Sequence, residues 1–382
     1  MKRRKNMDFS THKPVQIVIG DNCIQNNASL LALGKKALIV SGRNGADACG
    51  AISDITAALE KCGVAYARYP KITENPPAPV CHEGGAFCRS EGCDFIIAVG
   101  GGSPLDAGKA IAAYANNPEM DVMDIYDGEK MINPCLPIIA VPTTAGTGSE
   151  AAPYAVLTID DGLRKKTFKH ATSYPKYSFV DPKYTYTLSK DYSVSTALDA
   201  LAHAIESYLS PKANSASREA AAFAATEVWT VLFENADAEG EKDAGDFTRK
   251  QRERLMYAAC AAGIAISYTG TGFPHPLGYS LTLTYGIPHG KACALFEGEY
   301  ISYNRLSSVG SELLEELAEK IGCSLDDMIT RIPAKADCHI KLTAKEAEAL
   351  IDRVAGAGNY ANSPYVITRG EMSDIYTRLF VK

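Results

Sequence analysis

Asp94-Phe-Ile-Ile-Ala-Val-Gly-Gly-Gly-Ser-Pro-Leu-Asp-Ala-Gly-Lys-Ala-Ile111 is the stretch from which the fold can be read. Phe95 to Val99 has the length and apolar character of a buried strand, and Gly100, Gly101 and Gly102 follow it directly. Ser103 then reads as a helix N-cap, Pro104 as the first helical residue and Asp106 as the far half of a Ser-x-x-Asp capping box. Three glycines let the backbone approach a ligand, and a helix N-terminus offers free N–H groups and the positive end of a dipole. The turn is thus a phosphate cradle suited to a pyrophosphate. Its spacing is neither Gly-x-Gly-x-x-Gly nor a Walker loop, so a plain glycine-rich turn is the competing reading.

The flanking segments repeat the plan. Lys35-Lys-Ala-Leu-Ile-Val40 is a short apolar run closed by Ser41-Gly-Arg-Asn-Gly45. A helical pattern through Ile52, Ile55 and Leu59 ends near Gly63, Val64 to Tyr69 reads as the next strand, and Pro76 to Pro79 as a loop. Pro137-Ile-Ile-Ala-Val-Pro-Thr-Thr-Ala-Gly-Thr-Gly-Ser-Glu150 is a second buried strand with a loop of small hydroxyl residues. Thr143, Thr144, Thr147 and Ser149 can bond phosphate or ribose oxygens, with Gly146 and Gly148 leaving room. Two such loops after buried strands predict a doubly wound α/β sheet with a crevice at the strands' carboxyl ends.

Phe179-Val-Asp-Pro182 reads as the last strand, and Tyr184 to Ser193 as the crossing segment. Beyond it Ala197 to Leu209, Ser215 to Phe233, Arg249 to Tyr268 and Glu312 to Ile321 read as helices, with a polar loop over Ala236 to Asp246. The expected organisation is an α/β dinucleotide-binding domain over 1–183 and a mainly α-helical domain over 184–382. No internal repeat or low-complexity linker separates them, so a shared cleft is expected.

The helical half carries the second chemical signal. In Asp199-Ala-Leu-Ala-His203-Ala-Ile-Glu206 the aspartate and histidine stand one helical turn apart on one face. His275 and His289 follow in a segment punctuated by Gly and Pro, and the chain has only seven histidines. One carboxylate and three imidazoles suit Fe(II) or Zn(II). A capped helix with a core histidine would explain Asp199 and His203 alone; the distant pair favours a metal.

Composition narrows the class. At 382 residues, with 46% hydrophobic and 22% charged residues, the chain reads as an ordinary globular protein with room for two domains. A formal charge of -6 argues against nucleic-acid binding. No apolar run reaches the about 18 residues of a membrane span. The basic tip Met1 to Asn6 lacks an apolar core of the signal-peptide kind and reads as a solvated tail. Eleven cysteines without paired zinc-ribbon spacing fit a reducing cytoplasm. Cys81, Cys88 and Cys93 match no metal knuckle, Cys338-His339 reads as structural, and Cys62, Cys260 and Cys293 read as small hydrophobes.

Gly100-Gly-Gly-Ser-Pro-Leu-Asp106, Pro142-Thr-Thr-Ala-Gly-Thr-Gly-Ser-Glu150, Asp199-Ala-Leu-Ala-His-Ala-Ile-Glu206 and Pro288-His-Gly290, in this order, resemble the iron-containing (group III) alcohol dehydrogenases along nearly the whole chain. The resemblance implies a dehydroquinate-synthase-like fold, a nicotinamide cofactor across the first two motifs, and a divalent metal on Asp199, His203, His275 and His289. It also implies a dimer or larger assembly and a place for Asn75 in the cofactor site. Many members carry a second histidine near His275; here Thr271 precedes it and Tyr279 follows. Counting back from Pro288-His289-Gly290 assigns His275 to the metal and puts the usual proton relay in question.

The implied reaction is metal-assisted hydride transfer between NAD(P) and a small primary alcohol or aldehyde. Asp106 and Tyr279 are the candidate proton-passing groups, with a core tyrosine as the plainer reading of Tyr279. NAD-preferring members have an aspartate after the first strand where this chain has Gly42, so NADP is the favoured cofactor. Ser41, Arg43 and Asn44 are candidate phosphate partners. A dehydroquinate-synthase-like lyase, a maleylacetate-reductase-like or glycerol-dehydrogenase-like enzyme, and an inactive structural module are the rival readings.

Overall fold

The computed structural model describes residues 7–9, 12, 14–159, 162 and 164–381; the Met1 to Asn6 tip lies outside them. Its strands are Gln16–Ile19 (β1), Lys36–Gly42 (β2), Ala65–Ile72 (β3), Phe95–Gly100 (β4), Ile138–Pro142 (β5), Tyr154–Ile159 (β6), Arg164–Lys169 (β7) and Tyr177–Val180 (β8). Six form one parallel sheet in the order β1-β8-β5-β4-β2-β3. The β4 run is fully buried because both of its faces are covered. Phe95, Ile97 and Val99 pack into one apolar cluster and Ile96 into the other. This is why the strand reads as a continuous apolar run rather than an alternating one.

The chain winds outward from β2 to β3, then returns to place β4 on the other side of β2. The winding therefore reverses between β2 and β4, the point at which doubly wound sheets hold ligands. Ser41 pairs with Val99 there, which sets Gly42 beside Gly100 at the carboxyl ends of the two strands.

Two local expectations are corrected. The helix after β4 spans Gly102–Asn116, with Gly101 in the N-cap position and no side-chain cap. Ser103 is therefore inside the first turn, where its Oγ accepts from the Asn75 N–H at 3.2 Å. Asp106 makes no capping box; its carboxylate accepts from Ser149 Oγ at 2.5 Å and from Val156 N–H at 2.8 Å. Between Glu150 and Phe179, β6 and β7 form an antiparallel hairpin that the sequence reading did not contain.

The remainder is helical. Lys190–Leu209, Ser215–Leu232, Arg249–Thr269, Pro274–Tyr285, His289–Asn304 and Ser308–Ile321 are followed by Leu325–Lys335, Ala344–Val354 and Arg369–Phe380. They share one apolar core, which also reaches β1 and Val180 of the sheet. Alanines 220, 221, 224 and 225 are fully buried, so their helix packs closely against its neighbours. Gly148, in the loop after β5, and Gly263, in the helix Arg249–Thr269, face each other so closely that a Cβ on either would strike the other's backbone. Gly148 also has a φ of +60°. Both reasons exclude a side chain there.

Candidate active site

A cleft of about 950 Å³ runs from the sheet's carboxyl edge to the helices. On the sheet side it is lined by Asn75, Gly102, Ser103, Asp106, Thr144, Thr147 and Ser149, and on the helical side by Asp199, His203, His275, Tyr279 and His289. The β6–β7 hairpin contributes Lys165 and its neighbours. Gly42, Gly100, Gly101 and Thr143 do not line this cleft.

The two loops on the sheet side are packed against each other. A Cβ at Gly101 would stand 3.1 Å from the Thr144 methyl, and one at Gly102 would stand 2.6 Å from the Thr147 methyl. The glycines therefore make room for the threonines of the second loop as well as leaving the helix N-terminus open. Gly100, at φ +145°, adopts a backbone that only glycine enters readily. Thr143 is buried, and its N–H donates to the Gly100 carbonyl at 2.9 Å.

Asp106 and Ser149 are tied into the framework as well as lining the cleft. Buried Lys109 donates from Nζ to the Ser149 carbonyl at 2.7 Å, to Ser149 Oγ at 2.6 Å and to the Tyr154 carbonyl at 2.7 Å. Burial brings the Lys109 ammonium down to about 8, against the pull of Asp106 and Glu150. Burial also raises Asp106 above the ordinary carboxylate range, although Lys109 and Ser149 oppose this. Lys109 lay within the fold-deciding stretch, but nothing in its spacing marked it as buried.

On the helical side four residues converge. Asp199 Oδ1 lies 3.8 Å from His203 Nε2, 3.5 Å from His275 Nε2 and 3.6 Å from His289 Nε2. The helix Lys190–Leu209 presents Asp199 and His203; His275 lies in the first turn of Pro274–Tyr285, and His289 opens His289–Asn304. Gly290 explains how the last helix comes so close, because a Cβ there would collide with the Ser195 carbonyl and with Asp199.

Three buried atoms of this cluster have no hydrogen-bond partner, His203 Nδ1 and the facing pair Asp199 Oδ1 and His275 Nε2. Buried polar atoms without partners are expensive, and a cation between the facing pair would satisfy both. Burial presses Asp199 toward neutrality, yet the surrounding imidazoles prevail and hold it well below the usual carboxylate range. Burial lowers His203 and His289, favouring the neutral imidazole that ligates metals. His275 behaves otherwise: burial opposes its charge, but Glu206 and Asp199 raise it to about 9.

Residues beyond the predicted set complete the site. Glu206, fully buried, accepts from His275 Nδ1 at 2.7 Å and from the Gly272 N–H. Glu297 lies behind it, and burial beside the Glu206 charge raises its carboxyl well above the ordinary range. Tyr279 stacks on His289 with centroids 5.2 Å apart, and Lys165 Nζ sits 4.6 Å from the Tyr279 ring centroid. Burial pushes the Tyr279 phenol far above its ordinary value. Cys293, expected among apolar neighbours, instead stands one turn beyond His289 with Sγ 3.7 Å from His289 Nδ1.

Residues 14–182 match the sequence model of the family described as iron-containing alcohol dehydrogenase, and residues 193–379 match that of its C-terminal region. The chain belongs to the iron-containing alcohol dehydrogenases. It is 32% identical to lactaldehyde reductase of Escherichia coli K12 over 295 residues, which are 77% of this chain and 74% of the relative. An iron-containing alcohol dehydrogenase structure from Thermotoga maritima superposes with a TM-score of 0.86 at 30% identity, covering 96% of this chain and 98% of that one. Sulfoacetaldehyde reductase from Bifidobacterium kashiwanohense, solved with NAD+, superposes with a TM-score of 0.83 at 27% identity, covering 98% and 99%. The expected family, its dehydroquinate-synthase-like fold and its oxidoreductase class are thus found in this chain, and no helix among the described residues can cross a membrane.

Proposed function

We propose that this alcohol dehydrogenase moves hydride between NADP(H), or less favourably NAD(H), and a small primary alcohol or aldehyde. The observation that carries the reading is the shared cleft: the open helix N-terminus at Gly102 and Ser103 and the Asp199–His203–His275–His289 cluster line one cavity. Gly102, Ser103, Thr144 and Thr147 would hold the phosphates of a dinucleotide on the sheet side of the cleft, across from the cluster. A bound nicotinamide would supply the hydride chemistry, and the hydroxyl proton would leave to solvent. When bound, a divalent cation supplies Lewis acidity toward the substrate oxygen.

The chain's own groups do the rest. Asp199 and the three imidazoles hold the cation, Fe(II) or Zn(II), and Glu206 fixes the orientation of His275. Tyr279 walls the cleft beside His289, where burial raises its phenol far above the ordinary value, and with Asp106 it is the candidate for passing the proton. Relatives named for lactaldehyde and sulfoacetaldehyde support short aldehydes with a polar neighbouring carbon as the first substrates to try. We further propose a division near residues 183 and 184, a homodimer or larger assembly, and a cytoplasmic location.

The test is a panel of short aldehydes and alcohols assayed at saturating NADPH and NADH, together with metal analysis of the protein and of His275→Ala. Reduction of aldehydes with net cofactor oxidation, and loss of both metal and turnover in His275→Ala, are expected. Full metal occupancy and turnover in His275→Ala would remove that residue from the site, and unchanged cofactor absorbance across the panel would point to a lyase.

A further inference from the structure

Two polar residues of the cleft, Thr271 and Asn359, belong to neither the metal cluster nor the phosphate-binding loops. Thr271 sits in the turn between the helices Arg249–Thr269 and Pro274–Tyr285, just ahead of His275. The next residue, Gly272, donates its N–H to Glu206, the carboxylate that also holds His275. Asn362, itself buried, braces the same turn by donating to the Thr269 carbonyl at 2.5 Å and to the Thr271 carbonyl at 3.2 Å. Its own oxygen is held by Ser210 Oγ at 3.0 Å. The turn is therefore fixed to the metal side of the cleft.

Asn359 fixes the Thr271 side chain. Its Nδ2 donates to Thr271 Oγ1 at 2.7 Å and to the Thr271 carbonyl at 3.4 Å. A carbonyl only accepts, so the amide presents its nitrogen on this side and turns Oδ1 away. Thr271 Oγ1, having accepted from the amide, keeps its own O–H to give. Among the described residues that O–H donates to no group, and Asn359 Oδ1 accepts from none. Both residues are half-buried and line the cleft, so the groups they leave open are met from the cleft. A donor and an acceptor on touching side chains match a neutral hydroxyl, which does both. A carboxylate or sulfonate only accepts and would repel Asn359 Oδ1, and an alkyl group would leave both protein groups unpaired.

We propose that Thr271 and Asn359 are the specificity-determining pair of the cleft and select substrates with a hydroxyl on the carbon next to the reacting one, α-hydroxyaldehydes and the vicinal diols they form. This rests on the reading above that the cleft reduces short aldehydes. The substrate hydroxyl accepts from Thr271 Oγ1 and donates to Asn359 Oδ1. It takes no part in the bond changes and is returned unchanged in the diol. The tie from Gly272 through Glu206 to His275 places the pair beside the reacting end, which is why the recognised hydroxyl belongs on the neighbouring carbon. The pair adds no donor to the cation, so the open position for the substrate oxygen is kept. A site built to hydrogen-bond a substrate hydroxyl rejects the analogue that lacks it, because its own polar groups are then left without partners.

The experiment compares glycolaldehyde, acetaldehyde and sulfoacetaldehyde, aldehydes that differ only in the substituent on the second carbon. It uses the full chain loaded with Fe(II) or Zn(II) and saturating reduced cofactor. Wild type is expected to favour glycolaldehyde over acetaldehyde by at least about tenfold in kcat/KM, the scale of one well-placed hydrogen bond. Thr271→Val keeps the shape and removes the O–H, so the glycolaldehyde-to-acetaldehyde ratio should fall about tenfold, whereas Thr271→Ser should hold it. Asn359→Ala, as an independent variant, should lower the same ratio. A ratio that survives in both Thr271→Val and Asn359→Ala would overturn the assignment while leaving the aldehyde-reductase reading standing. A wild type that favours sulfoacetaldehyde would give the second carbon to the Lys165 ammonium and also overturn it. Failure to reduce any of the three would overturn both.

Discussion

Glu206 accepts a hydrogen bond from His275 Nδ1 at 2.7 Å, which commits the opposite nitrogen, Nε2, to face Asp199. A carboxylate behind a ligating imidazole sets its tautomer and raises its basicity. Glu206→Gln keeps the shape but removes the charge, and we expect metal affinity to fall about 10- to 100-fold. Metal titration of the variant, with circular dichroism to verify the fold, checks this; unchanged affinity would mean that Glu206 only supports the backbone at Gly272.

Gly290→Ala tests how the helices bring the site together. The added methyl meets the Ser195 carbonyl and Asp199, both on a buried helix that cannot move without disturbing the core. Overpacking of this kind costs about 1–3 kcal/mol. The expected result is a lower unfolding midpoint together with loss of bound metal, because His289 is carried away from Asp199 as the helices part. A variant with wild-type metal content would show that the contact relaxes without moving His289.

Much of this architecture could be read in the sequence, for a physical reason. Phe95–Val99 and Ile138–Val141 are buried on both faces, so their apolar character is continuous and needs no partner to be recognised. The β6–β7 hairpin escaped because β7 is Arg-Lys-Lys-Thr-Phe-Lys, with only Phe168 of it buried. Such a strand is defined by what it pairs with and covers. Ser103 misled because the cap signal is a local pattern, whereas Gly101 and Gly102 let the helix begin two residues sooner against Thr147.

The pH dependence of stability should carry the mark of Glu150, which is 2% exposed. Burial raises its carboxyl from 4.5 to about 7, while Lys109 and Cys260 pull the other way. Its folded value is above its unfolded one, so its contribution is fully present below pH 4.5 and is lost as pH rises through about 7. Over that window the loss is at most about 3 kcal/mol. Glu150→Gln should flatten the curve, seen as a smaller fall in urea midpoint between about pH 5 and about pH 8. Equal falls in wild type and variant would mean that other groups govern the slope.

We propose that cofactor choice turns on the end of β2. Gly42 stands beside Gly100 at the reversal of winding, where an acidic residue would hydrogen-bond the adenosine ribose and repel a 2′-phosphate. Ser41, a candidate phosphate partner, is fully buried and donates its hydroxyl to the Gly42 carbonyl at 3.0 Å. On that proposal exposed Arg43 and Asn44 would hold the 2′-phosphate. A Cβ at Gly42 would meet only the Ile72 carbonyl, at an ordinary 3.4 Å, so an aspartate can be introduced without disturbing the strand. We expect wild type to prefer NADPH, Arg43→Ala to lose about tenfold in kcat/KM for NADPH with little change for NADH, and Gly42→Asp to reverse the preference. Steady-state kinetics with both cofactors on the three proteins decides it, and a wild type that strongly favours NADH would show that the absent aspartate does not set the choice.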